Sequence, residues 1–213
     1  MRVHWRSRVA AMALVVAVAT LIGCAVNPVT GRSELHLVSE QDEIALGGKN
    51  YIPGQQQAGG QWVVEPDVVG YVREVGRKLA AVSDRKQLPY EFVILNDSVP
   101  NAWAMPGGKL AINRGLLYEL KSEAELAAVL GHEIVHAAGR HSARGMETGL
   151  VLQAGAAVIS AASAERRNAG LVDLAAGVGS ALYGMKYGRD LELEADHYGM
   201  LYMQRAGYDP AAA

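Results

Sequence analysis

SEAELAAVLGHEIVHAAGRH, residues 122–141, is the stretch whose reading decides the fold. Ser122 and Glu125 stand at capping-box spacing, the serine accepting from the Glu125 backbone N–H and the glutamate reaching back. Leu126, Val129, Leu130, Ile134 and Val135 then recur at the spacing of an apolar helix face. His132 and His136 are four apart on that helix, so their imidazoles point the same way. Two neutral imidazoles in that relation can hold Zn²⁺ from one side, with Glu133 beside the metal as general base. Read as one helix to its end, the stretch would carry His141 about 140° round from His136. There the pair Arg140-His141 would tie the helix C-terminus to its neighbours.

A catalytic zinc needs three protein ligands and a water. The chain has six histidines, and none besides His132 and His136 is well placed: His4 and His36 lie far upstream, and His197 would need a bend to reach. Glu192 and Asp196 are better candidates, being four apart on the helical segment Arg189–Arg205. One of them can bind the metal while the other accepts a proton from a ligand histidine. Glu194, between them, faces elsewhere and is expected to be solvated.

The 213 residues are half hydrophobic, enough for one core of ordinary size, and the net charge of −2 gives no sign of a nucleic-acid partner. Cys24 is the only cysteine, so there is no disulfide framework. Upstream of it, Arg2, Arg6 and Arg8 precede an apolar run from Val9 to Ile22, the pattern of an export signal over residues 1–23. Leu21-Ile22-Gly23-Cys24 resembles a bacterial lipobox, which makes Cys24 the lipidation site. Ala25 in the next position resembles lipoproteins sent to the outer membrane. The expected location is the periplasmic side of the cell envelope, held by a lipid anchor that binds far more firmly than a single acyl chain.

Residues 24–38, with the turn chemistry of Asn27-Pro28-Val29-Thr30-Gly31, are expected to form an extended tether. The folded domain is placed at 39–213. Ser39 with Asp42 or Glu43 opens a helix toward Tyr51, and Pro53–Gln61 reads as a loop. Pro66 starts a helix from Asp67 to about Val82. Leu88–Leu95 and Lys109–Asn113 read as strands, with the irregular passage Asn96–Gly108 between them. Lys109–Asn113 is a candidate sheet edge on which an extended substrate adds as a strand. Glu165-Arg166-Arg167-Asn168 splits Gly149–Gly184 into two apolar halves, each too short and too rich in small residues for a good membrane span, and the segment is expected to pack as helix or cover the site. Gly207 and Asp209-Pro210 stop the last helix, and the C-terminus reads as short or truncated.

The combination of His132-Glu133-x-x-His136 with Glu192-Leu193-Glu194-Ala195-Asp196 resembles metallopeptidase family 48, the HtpX-like and CAAX-endopeptidase-like zinc peptidases. Asn27-Pro28-Val29-Thr30-Gly31 with Val38-Ser39-Glu40 resembles its bacterial periplasmic lipoprotein branch. Asn101-Ala102-Trp103-Ala104-Met105-Pro106-Gly107-Gly108 is similar to a stretch the family carries before the zinc helix. The resemblance implies an α+β, mostly α-helical zincin domain of the gluzincin-like kind, with a short sheet beside the active-site helix. It further implies one Zn²⁺ per chain held by His132, His136 and Glu192, with Glu133 as catalytic base and Asp196 behind a ligand histidine. The implied function is a metalloendopeptidase acting on misfolded or misassembled envelope proteins. A competing reading is a non-catalytic or latent assembly lipoprotein that keeps a structural zinc, distinguished by whether protein fills the fourth metal position.

Overall fold

The computed structural model describes residues 23–162 and 187–213. The expected signal peptide, apart from Gly23, and most of the Gly149–Gly184 segment therefore lie outside the described residues.

The passage expected as a tether is folded. Strands β1 (Cys24–Val26) and β2 (Ser33–Leu35) pair antiparallel, Cys24 opposite Leu35. The Asn27 side chain makes the turn, its Oδ1 accepting from the backbone N–H of Val29 at 2.9 Å and of Thr30 at 3.1 Å. The same side chain is buried and donates to the Gly139 carbonyl at 3.0 Å, which docks the hairpin on the body of the protein. An extended tether fails here because one asparagine satisfies both its own turn and a distant helix end.

Helix α1 (Glu40–Gln57) opens as anticipated on a capping box between Ser39 and Asp42. It runs through Pro53 into the glutamine stretch that reads as a loop. Proline removes one ladder hydrogen bond, and tertiary contacts hold the helix across it. Tyr51 is buried and donates to the Leu110 carbonyl at 2.7 Å. Gly54 and Gln55 are buried too. Helix α2 (Pro66–Ala80) starts on its proline and buries Val69, Val72, Val75 and Leu79, close to the expected bounds.

Strands β3 (Glu91–Leu95), β4 (Ala102–Met105) and β5 (Lys109–Asn113) form a sheet in the order β3-β5-β4. β5 runs parallel to β3 and antiparallel to β4. Two expectations change. The passage Asn96–Gly108 contains a strand, and Lys109–Asn113 is the central strand, so β4 takes the edge. Gly107 and Gly108 have φ of 73° and 83°, which lets the chain fold β4 straight back on β5. A Cβ on Gly107 would lie 2.5 Å from the Ile44 Cα, so the same glycine admits α1 against the turn.

Helix α3 (Arg114–Glu119) leads to α4 (Glu123–Ala138), capped by Ser122 Oγ accepting from Glu125 N at 3.1 Å. Glu125 itself accepts from Lys121 N at 2.7 Å, so the capping box is half made. α4 stops at Ala138, short of the expected His141. Arg140, at φ 61°, turns the chain, and His141 begins a new helix, α5 (His141–Ala162). Helix α6 (Arg189–Arg205) has the expected bounds, and a 3₁₀ turn follows at Pro210–Ala212.

The result is the expected α+β, mostly helical architecture in layers. Leu79, Phe92, Ile94, Leu110, Ile112, Leu130, Ile134, Tyr202 and Met203 fill the core that joins α2, α4 and α6 to the sheet. Tyr51, Val93, Leu95, Trp103, Met105 and Ala111 form a second cluster. Burying Leu126, Leu130 and Ile134 is worth about 1.5–3 kcal/mol each, so packing holds α4 in place. Among the described residues no helix is long and apolar enough to cross a membrane.

Candidate metal centre and cleft

Two glycines allow the site to form. α4 and α6 cross where Gly131 meets Gly199: a Cβ on Gly199 would lie 3.0 Å from the His132 backbone nitrogen, and one on Gly131 3.1 Å from the Gly199 carbonyl oxygen. This close approach brings the first turns of α6 over the histidines. His132 Nε2 lies 2.9 Å from His136 Nε2 and 3.3 Å from Glu192 Oε2, and His136 Nε2 lies 4.0 Å from that oxygen. Ligand atoms about 2.0–2.1 Å from a tetrahedral zinc stand roughly 3.3 Å apart. The three atoms are spaced to fit such an ion, and two imidazoles with one carboxylate are a zinc donor set.

His132 is partly exposed, and its other ring nitrogen, Nδ1, is 2.9 Å from Asp196 Oδ1. Of the two carboxylates left open by spacing, Glu192 thus meets both histidines at the metal position while Asp196 meets the back of one.

The flank of His136 is built differently, and here two expectations fail. His141 does not point away: the Arg140 turn swings it back, and its Nδ1 lies 2.7 Å from His136 Nδ1. Glu194 is not solvated. Its side chain is 9 % exposed, with Oε1 2.9 Å from both His141 Nε2 and Arg144 Nη1. Burial, with His141 and His132 close by, pushes the His136 pKa down to about 2, which keeps its imidazole neutral as a ligand must be. The Tyr187 ring stacks on His136, centroids 4.1 Å apart, and its hydroxyl is 2.7 Å from Ser142 Oγ. Tyr187 had no signal in spacing; it comes from just ahead of α6.

The turn that returns His141 is held by buried charge. Arg140 donates from Nε to Glu43 at 2.7 Å, and from Nη2 to Glu147 at 3.0 Å and to the Val38 carbonyl at 2.6 Å. Glu43 also takes Arg85 at 2.9 Å. These bonds offset the left-handed backbone of a non-glycine residue, which costs about 1–2 kcal/mol. Arg140 thus ties the end of α4 to its neighbours, the role expected of the Arg140-His141 pair.

On the His132 side lies a cleft of about 430 Å³ lined by His132, Glu133, Asp196, Asn101, Ala102 and Met200, among others. Asn101 and Ala102 bring the edge strand β4 to the rim. Burial, with the Glu192 carboxylate adding to it, raises the Glu133 pKa to about 8 in the metal-free protein. A cation in the trio would oppose that rise. His197 is exposed against the Tyr198 ring and stays outside the trio. Cys24 is exposed at the start of β1.

A histidine pair and a carboxylate on crossing helices, beside a small sheet, define a metallopeptidase fold of the mostly helical α+β kind. Residues 66–213 match Peptidase family M48, and the chain belongs to that family. It is 31% identical over 192 residues to the beta-barrel assembly-enhancing protease of Yersinia pestis, covering 87% of this chain and 39% of that protein. It is 35% identical over 147 residues to the mitochondrial metalloendopeptidase OMA1 of Schizosaccharomyces pombe, covering 67% and 41%. Metalloprotease YcaL of Escherichia coli is 33% identical over 122 residues, covering 56% and 46%. The chain therefore spans less than half the length of these relatives.

Proposed function

We propose that this chain is a zinc-dependent endopeptidase of the bacterial cell envelope that cleaves misfolded or misassembled envelope proteins. One observation carries the reading: two imidazole nitrogens and a carboxylate oxygen converge, and one of the three residues, His132, shares the wall of a cleft with Glu133. A purely structural zinc has no use for a carboxyl group and a substrate-sized groove at its side. The envelope assignment draws on the lipobox-like sequence at Cys24 and on the name of the Yersinia pestis relative, a protease that enhances β-barrel assembly.

In this reading His132, His136 and Glu192 hold one Zn²⁺, which when bound supplies an acidified water and a Lewis acid for the scissile carbonyl. Glu133 accepts the water's proton and delivers it to the leaving amine. Asp196 fixes His132 by accepting its Nδ1 proton. The edge strand β4, with Asn101 and Ala102 at the cleft, takes an extended substrate as an added strand through main-chain hydrogen bonds. Residues 1–23 act as a signal peptide, Cys24 carries the lipid, and 39–213 form the catalytic domain with the 24–38 hairpin docked against it.

Glu133→Gln tests the catalytic reading. Zinc stoichiometry should stay near one while cleavage of an unfolded protein falls by about 10²–10⁴-fold. Retained cleavage would overturn the mechanism. Cys24→Ser tests the anchor: the protein should move from the membrane fraction to the soluble one.

A further inference from the structure

We infer that His141 is a positioning residue for the metal centre, holding His136 in the tautomer that presents Nε2 to the metal. The inference rests on His136 being a ligand, as proposed above. If Nε2 faces the metal, the His136 proton sits on Nδ1. Among the described residues that proton has one partner, His141 Nδ1 at 2.7 Å. His141 must then accept at Nδ1 and carry its own proton on Nε2, which lies 2.9 Å from Glu194 Oε1. One carboxylate oxygen thus fixes two imidazoles in series. Arg144 holds that oxygen at 2.9 Å, and its other arm reaches Glu34 Oε1 of the N-terminal hairpin at 3.2 Å.

Every polar atom in this chain has a single consistent donor or acceptor role, and the links are dry: His141 is fully buried and the Glu194 side chain nearly so. Water cannot stand in for a missing member without a cavity to enter, so removing the His141 acceptor leaves the His136 N–H buried and unpaired. The favoured escape is the other tautomer, with the proton on the nitrogen the metal needs. Ligand-orienting partners of this kind are worth about 10–100-fold in metal affinity. The Gly139–Arg140 turn exists, on this view, to return an acceptor to the back of His136.

The experiment measures zinc dissociation constants by chelator competition for wild type, His136→Ala, His141→Leu and His141→Asn. Far-UV circular dichroism and thermal midpoints of the metal-free forms are recorded alongside. Asparagine places its Oδ1 where His141 Nδ1 stands, so it keeps the acceptor but not the link to Glu194. The expected order is a loss of about 10–100-fold for His141→Leu, with most of it restored in His141→Asn while both remain folded. Nitrogen NMR of the metal-free and zinc-bound wild type should place the His136 proton on Nδ1. Full zinc affinity in folded His141→Leu would overturn the inference, as would equal losses in the two His141 variants or a proton on His136 Nε2 in the zinc-bound form. If His136→Ala itself keeps wild-type affinity, the ligand assignment has failed instead, and the two failures are told apart. Should His141→Leu not fold, Glu194→Gln, which weakens the next link, must lower zinc affinity by a smaller factor; unchanged affinity there would overturn the inference.

Discussion

The two histidines of the proposed metal trio are four residues apart and chemically alike, yet they are supported in opposite ways. His132 stands at the cleft with an exposed carboxylate, Asp196, behind it. His136 is buried and backed by an imidazole, a carboxylate and an arginine in series, with a tyrosine ring stacked on its face. The difference separates two tasks on one helix. The wet side is open to solvent, and a lost partner there can be replaced by water. The dry side cannot recruit solvent, so its geometry must be complete within the protein.

That contrast breaks most directly at Arg140. Arg140→Ala leaves the buried Glu147 with backbone donors but no arginine, leaves Glu43 with Arg85 alone, and frees the turn before His141. The expected cost is about 3–5 kcal/mol, read as a lower midpoint in urea. A loss under 1 kcal/mol would mean the charge cluster does not hold the dry side. Next, Asp196→Ala should weaken zinc binding by about tenfold, the low end for such partners, and by less than His141→Leu. Equal or larger loss at Asp196 would remove the distinction between wet and dry support.

A third variant acts on both sides at once. Gly199→Ala forces α6 away from the His132 backbone at a cost of about 1–3 kcal/mol, and should lower zinc affinity because Glu192 moves with α6. Stability lost with affinity kept would show that the crossing is not what places Glu192. The smallest effect concerns acid and an ion pair outside the trio. Hydrogen bonding from Arg85, and then its charge, hold the Glu40 carboxyl below its usual 4.5. A carboxyl depressed in the folded state contributes stability above its unfolded pKa, and the contribution is lost as pH falls through that value and below. Glu40 is 44% exposed, so the Arg85 pair is worth under about 1 kcal/mol. Glu40→Gln should flatten the fall in thermal midpoint below pH 4.5 slightly and leave zinc binding unchanged.

Much of this protein was legible along the chain. The helix signals at Ser39, Pro66, Ser122 and Arg189 are local, and each helix begins within a residue or so of its signal. The Glu133, His132 and His136 pattern and the Glu192–Asp196 pair rest on helical spacing, which the chain states directly. What resisted reading depends on partners distant in sequence. Pro53 ends no helix because Tyr51 is fastened to β5. Lys109–Asn113 is central because a strand edge is defined by its neighbours, and β4 was hidden in a stretch read as irregular.

The sequence by itself therefore determined the mostly helical α+β class and singled out the side chains that converge, His132, His136 and Glu192. It could do so because helical periodicity converts spacing along the chain into direction in space. Only the tertiary structure decided what stands behind each donor. His141 returns to His136 through one left-handed residue held by buried charge, and Glu194 is drawn inward by that imidazole and an arginine. Neither placement follows a period, because each is set by contacts between residues far apart in the chain.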